Sequence, residues 1–371
     1  MASRSKSRFS RRSFLGKATA GSALALSTPT LLTAKKTDKS TVVGVEGHQY
    51  EVQHMWPKLP DRFNWQTTHN VAFDSQGLLY VIHEGRVQDN PDRKDTIFVF
   101  DDQGKYVRSF GEEFVGGGHG IEIRNEAGQD YLYVCAYQEQ RSFAKLDMQG
   151  EIVWRKGAPL ESGFYAEGEQ LFPRDDNPWG RDRFLPTNIA FLDDGGFFLA
   201  DGYGTWRIHR YDKDANWLSS FGKPAGEDRA DGTFHLPHGI WIDRRGAEPM
   251  VVVADRVLKR LQWFNVAGEH QQTLDGFLLP ANIDIHGDTM VVPDLVGRVT
   301  LLDRDNQVIA QLGDDSERMA ADSKLQIRQD ESKWQDGKFV HPHDACFDHD
   351  GNLFVAEWVQ RGRVTKLRKL S

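Results

Sequence analysis

The chain has few of the features that would place it in several large classes. Its 371 residues include two cysteines, Cys135 and Cys346, with no CxxC pair between them. They fall in different repeats of the sequence, so they read as small apolar packing residues and not as a redox or zinc-ribbon motif. Convincing 3.6-residue hydrophobic periodicity is missing beyond residue 34, which argues against a helical domain. Long apolar runs are missing too. The mild stretch from Ala18 to Leu26 is far shorter than the ~20 residues of a spanning helix, and no stable membrane anchor is expected. Positive charge is also in deficit: 46 Lys and Arg stand against 54 Asp and Glu, a formal net charge of −8. Phosphate backbones repel such a surface, so nucleic acid is not an expected partner.

What is present begins with an address label. Ser10-Arg11-Arg12-Ser13-Phe14-Leu15 carries a twin arginine followed by Phe-Leu, then the apolar stretch and a small-residue site ending at Ala34. This is the layout of a twin-arginine export signal over residues 1–34, and the mature protein is expected to be periplasmic or extracellular. A disordered basic tail would not need the apolar stretch. Loss of residues 1–34 removes six basic residues and no acidic one, taking the formal charge from −8 to −14.

One phrase then recurs six times: a small residue or His, then Asn, Gly or Asp, then an apolar-x-apolar run. The copies start at His69, His119, Thr187, His238, Ala281 and His343, at spacings of 50, 68, 51, 43 and 62 residues. Most are followed by a Gly/Asp turn and a second apolar run. In four copies that run ends in an acid, as in Ala200-Asp201, Ala254-Asp255, Pro293-Asp294 and Ala356-Glu357. Short alternating runs between turn residues are strands of an antiparallel meander, and four strands per ~40–50 residues make one propeller blade. The expected fold is all-β: a six-bladed β-propeller of four-stranded blades around a central channel. Residues 65–371 form the propeller, and residues 35–64 supply the outer strand that the last blade lacks, near Gln49 to His54. That closure removes free edges. The longer spacings place polar insertions at residues 157–185 and 314–340, expected as loops over one face.

The innermost strands line the channel, so equivalent positions face one another across it. Position one reads His, His, Thr, His, Ala, His in blades one to six. His119, His238 and His343 come from alternate blades, about 120° apart by propeller geometry. Three neutral imidazoles converging this way leave a fourth position open, the arrangement of a catalytic zinc site. A lone histidine beside an apolar run is usually a packed, hydrogen-bonded residue, and it is the shared register that favours the ligand reading. His69 shares the register but breaks the threefold spacing, and can be a ligand, an outer donor or a wall residue. His235, His341 and His349 are off register and expected at the surface or in loops. Asp344, directly after His343, is expected to point away from the channel centre. With backbone carbonyls it suits a hard cation such as Ca²⁺, or else bonds strand-start amides.

Asp201-Gly202-Tyr203, Leu236-Pro237-His238-Gly239, Ala254-Asp255-Arg256 and His341-Pro342-His343-Asp344 resemble, in order and approximate spacing, the core of peptidyl-α-hydroxyglycine α-amidating lyase, an NHL-repeat propeller. The resemblance covers roughly residues 65–370. It implies zinc on His119, His238 and His343, and calcium on Asp344 with the carbonyls of Val71 and Ile121. It further implies a catalytic tyrosine at Tyr203, an arginine below the metal at Arg256, and a small-molecule or peptide substrate. A monomer is expected. One departure stands out: Glu84 occupies the place of the family's substrate arginine, with Arg86 two residues on, so a substrate carboxylate needs Arg86 to pair with it. Two other classes compete. A non-catalytic NHL propeller would bind a protein or glycan on its loop face. A lactonase would show a Glu/Asn/Asp cage for calcium where this channel offers imidazole.

Overall fold

A computed structural model describes residues 40–86 and 94–371, which lie in a single compact unit, Ser40–Ser371. The export signal expected over residues 1–34 lies outside the described residues. Six antiparallel sheets follow one another in sequence order around a common axis, so the chain is a six-bladed β-propeller. Blade 1 comprises Thr68–Phe73, Leu79–His83, Ile97–Phe100 and Tyr106–Phe110. Blades 2 to 5 repeat the plan from inner strands Gly118–Glu126, Asn188–Phe191, Pro237–Asp243 and Asp284–His286. Blade 6 is built from Pro342–Phe347, Leu353–Glu357 and Arg363–Lys369. Its fourth strand is His48–Gln53, which pairs with Arg363–Lys369 and is itself edged by Val42–Val45. No helix of the described residues is long and apolar enough to cross a membrane.

The third residue of each phrase holds the blades together. Ile121 packs with Ile82 and Val134 between blades 1 and 2, Ile189 with Cys135 and Leu199, Ile240 with Ala200 and Val253, and Ile283 with Val252 and Val292. Val71 fills the same place between blades 6 and 1, and Ala345 between blades 5 and 6. Strand alternation sends these side chains sideways into the neighbouring blade, and burying each contributes on the order of 1.5–3 kcal/mol.

The repeated acids have a structural role that positions the channel strands. Asp201 accepts from the Leu185 amide at 2.7 Å, Asp255 from His235 at 2.8 Å, Asp294 from Leu279 at 2.6 Å and Glu357 from Val340 at 2.8 Å. Each donor lies two or three residues before position one, so the acid at the end of the second strand fixes the entry of its own inner strand. In blade 1 His83 does this instead, accepting the Gln66 amide at 3.1 Å.

The first insertion is irregular apart from a short 3₁₀ turn, Leu160–Ser162. It is fastened by buried Arg141, which pairs with Glu169 at 2.7 Å and Asp176 at 2.8 Å. The second, expected as loop, contains two short helices, Ser316–Ala321 and Gln326–Gln329. They bury only Met319 and Ile327, too few apolar positions to leave a periodic signal.

Candidate functional site

His69, His119, His238 and His343 all reach the channel. Each stands where its strand slips register against the next, at a β-bulge: Thr68/Asn70, Gly118/Gly120, Pro237/Ile240 and Pro342/Asp344. A bulge leaves one residue unpaired and re-aims its side chain. Here it turns position one toward the axis while keeping position two there as well. The four rings form a closed circuit, with centroids 4.9 Å apart for His69 and His119, 4.8 Å for His119 and His238, 4.7 Å for His238 and His343, and 4.8 Å for His343 and His69.

Three of the four are oriented in one way. His119 Nδ1 faces the Thr187 carbonyl at 3.0 Å, His238 Nδ1 the Ala281 carbonyl at 2.7 Å and His343 Nδ1 the His69 carbonyl at 2.8 Å. Each even-numbered blade thus donates to position one of the next blade. A carbonyl can only accept, so Nδ1 carries the proton and Nε2 keeps its lone pair. Two glycines allow this approach. A Cβ on Gly120 would lie 2.1 Å from the Thr187 oxygen, and one on Gly239 2.8 Å from the Ala281 oxygen, the same carbonyls that orient the imidazoles. Burial, then neighbouring imidazoles and the Arg256 guanidinium, hold all three well below the ordinary histidine range. They are neutral. His119 Nε2 and His238 Nε2 consequently face each other at 3.1 Å as two lone pairs with no proton between them. Such a pair calls for a shared electrophile, and the donor set fits zinc.

Tyr203 and Arg256 lie beside this circuit. Arg256 is buried, donates from Nη1 to Tyr203 Oη at 3.0 Å, and has Nη2 3.5 Å from His343 Nε2. The Tyr203 ring meets His119 and His238 edge-on at 5.6 and 5.3 Å. Glu84 and Arg86 are also adjacent, Arg86 Nε lying 3.3 Å from Glu84 Oε2. Burial raises Glu84, but His69, Arg86 and Arg328 outweigh it and its carboxyl stands below the usual range.

Three further residues at the site carried little sequence signal. Tyr137 Oη accepts from Arg86 Nη2 at 2.7 Å, and its ring packs T-shaped against His119 at 4.8 Å. It follows Ala136 where other blades carry Ala-Asp, an aromatic in the acid's place that marks it in retrospect. Trp179, from the first insertion, meets the Tyr203 ring at 6.0 Å. Arg328, from the second, bonds Thr67 Oγ1 at 3.0 Å and lies over Trp358 at 3.7 Å. His341, expected near the surface, is buried and directs Nδ1 to the Leu295 carbonyl at 2.6 Å.

One residue further along the strands, a second tier crosses the channel. Asp344 does not point away from the axis: the bulge at His343 cancels the alternation. Its Oδ2 accepts the Val71 amide at 2.8 Å, and its Oδ1 accepts Asn282 Nδ2. Asn282 in turn accepts from Asn188 at 2.8 Å, and Asn188 Nδ2 lies 3.3 Å from Glu122. Ile121 remains packed between blades 1 and 2. The expectation that this channel offers imidazole in place of Glu, Asn and Asp is therefore corrected, because it carries both. Beside this tier is a cavity of about 160 Å³ lined by Glu122, Asp284 and Asp344 and by no Lys or Arg. Burial above all raises these carboxyls, Asp284 to about 6, Asp344 to about 7 and Glu122 well above its ordinary value. Three buried carboxyls with no cationic side chain lining the cavity fit a hard cation.

No protein-family model matches the chain. It is 24% identical over 320 residues to the probable peptidyl-alpha-hydroxyglycine alpha-amidating lyase of Caenorhabditis elegans, covering 81% of this chain and 82% of that protein. Against peptidyl-glycine alpha-amidating monooxygenase B of Xenopus laevis it is 26% identical over 217 residues, 53% of this chain and 22% of that protein. Among solved structures, a virginiamycin B lyase of Staphylococcus aureus shares the fold at a TM-score of 0.52 and 12% identity, over 86% of this chain and all of the other (100%). A gluconolactonase of Xanthomonas campestris does so at 0.51 and 12%, over 86% and 90%. The chain is a six-bladed β-propeller similar in sequence to proteins named as peptidyl-α-hydroxyglycine α-amidating lyases.

Proposed function

We propose that this protein is an exported, metal-dependent carbon–nitrogen lyase acting on an α-hydroxyglycine-type substrate to give an amide and glyoxylate. The observation that carries the reading is the facing pair of imidazole lone pairs, His119 Nε2 and His238 Nε2 at 3.1 Å, beside Tyr203 and Arg256. His119, His238 and His343 would hold zinc, and Asp344, with the Val71 and Ile121 carbonyls, calcium. Bound zinc would supply Lewis-acid polarisation of the substrate hydroxyl.

The chain's own groups do the rest. Arg256 donates to Tyr203 Oη, and a guanidinium there stabilises negative charge on that oxygen. Tyr203 Oη takes the hydroxyl proton. The O–H electron pair forms the carbonyl of glyoxylate, the C–N pair leaves with nitrogen, and that nitrogen takes the proton back. No oxidant and no water is consumed. Arg86, exposed at the edge of the site, pairs with the substrate carboxylate, and Trp179 and Tyr137 shield the reacting atoms from water. The test is glyoxylate release from α-hydroxyglycine-terminated peptides by purified, zinc-loaded protein. Absence of glyoxylate would reject the lyase assignment.

A further inference from the structure

His69 differs from the other three channel histidines in a way that points to an absent partner. It is 2% exposed, yet neither ring nitrogen has a hydrogen-bond partner among the described residues. The other three each spend Nδ1 on a carbonyl of the next blade, while His69 bears the desolvation of two unmet nitrogens. It also stands at a bulge of the same register, and its donor atom lies within 4.8 Å of those of His119 and His343.

We infer that His69 is a fourth metal ligand and Glu84 its outer partner, so that the centre is a four-histidine site. The inference rests on the metal-binding reading above. Glu84 Oε2 lies 3.7 Å from His69 Nε2, too far for a hydrogen bond but in the sector where a ligating histidine directs its free N–H. With Nε2 turned to the carboxylate, the lone pair left for the ion is on Nδ1, whereas the other three present Nε2. Glu84 is held in place by Arg86, which is in turn bonded to the Tyr137 hydroxyl at 2.7 Å. Four imidazoles fill a tetrahedron, so a substrate oxygen joins this ion only by expansion to five-coordination.

Cobalt(II) distinguishes the two arrangements, because its visible bands shift with the kind of atom bound, and a position open to solvent takes up added imidazole whereas a filled one does not. The chelated full chain would be titrated with Co(II), followed by visible absorption and by chelator competition. Wild type is expected to bind one equivalent with intense, four-coordinate bands that added imidazole leaves unchanged. His69→Ala puts solvent in the vacated position, so it should bind more weakly with shifted bands, and added imidazole should return the spectrum to that of wild type. Glu84→Gln should keep the wild-type spectrum and raise the Co(II) dissociation constant about 10–100-fold, as loss of an outer partner does. Circular dichroism checks that each variant is folded. A His69→Ala protein with wild-type spectrum and affinity would overturn the inference, and if His69→Ala does not fold, so would a Glu84→Gln protein of unchanged affinity. If His238→Ala abolishes binding while His69→Ala leaves it untouched, only the fourth ligand fails. If wild type binds no Co(II), the metal-centre reading fails with it.

Discussion

Replacing Tyr203 by Phe removes one oxygen atom and tests the proposed chemistry at its centre. Tyr203 Oη is the acceptor for Arg256 Nη1 at 3.0 Å, and Arg256 is only 4% exposed. Its Nε has no partner among the described residues, and its Nη2 is 3.5 Å from His343 Nε2, so the phenol oxygen is the one well-placed acceptor among these contacts. Loss of a hydrogen bond to a buried charge costs about 1.5–3 kcal/mol, which should appear as a lower midpoint in denaturant with the fold retained. The contacts of Tyr203 with His119 and His238 are ring to ring, and phenylalanine keeps the ring, so metal content should not change. Turnover should fall by about 10²–10⁴-fold, the range for a positioned acid or base. The assay is glyoxylate release, with metal analysis on the same sample. Tyr137 is the control: its hydroxyl oxygen accepts from Arg86, and burial pushes its pKa up. A Tyr203→Phe protein with undiminished turnover, alongside an inactive Tyr137→Phe, would refute the assignment.

Arg86→Ala and Arg328→Ala should each raise KM for a carboxylate-bearing substrate about 10–150-fold with little change in kcat, as loss of a charge-assisted contact implies; steady-state kinetics across the two variants decides it, and an unchanged KM in both would remove the carboxylate from this rim. Calcium should raise the thermal stability of chelated wild type, by about 2.7 kcal/mol at a hundredfold excess over its dissociation constant, and Asp344→Asn should show little response. Stability should also fall in acid through His54, which accepts the Gly337 amide on Nε2 at 3.1 Å and meets Thr365 on Nδ1 at 2.8 Å. Burial, reinforced by Arg363, lowers His54 from 6.5 to about 4, so the native state binds fewer protons than the unfolded chain. The contribution is complete above about pH 6.5 and is lost as pH falls toward 4, at most about 3 kcal/mol. Thermal melts between these pH values, with His54→Gln as reference, should show that slope vanish in the variant.

The repeat made most of the fold legible in the sequence. Six copies of one phrase gave the blade count, and the third position of each phrase is the residue found packed between blades. The shared register of His69, His119, His238 and His343 likewise places four imidazoles on one channel from the repeat alone. The role of the repeated acids was less plain. Asp201 and its equivalents recur in the sequence only as the acid that ends the second apolar run, and the structure shows them holding the entry of their inner strands. Arg328 and Trp179 lie in insertions without periodicity, and nothing local brings them to the site.

What the sequence determined by itself is whatever follows from strand alternation and repetition, because both act between residues close in the chain: the propeller, the inter-blade core and the histidine register. Only the tertiary structure decided which way each side chain turns at the site. The bulges that put both His343 and Asp344 on the channel break the alternation on which sequence reading depends. The carbonyls that fix the imidazole tautomers belong to the next blade, 68 residues away for His119 and 43 for His238. Such contacts exist only once the ring of blades has closed, since the energy of a hydrogen bond depends on tenths of an ångström between groups that the local chain does not bring together.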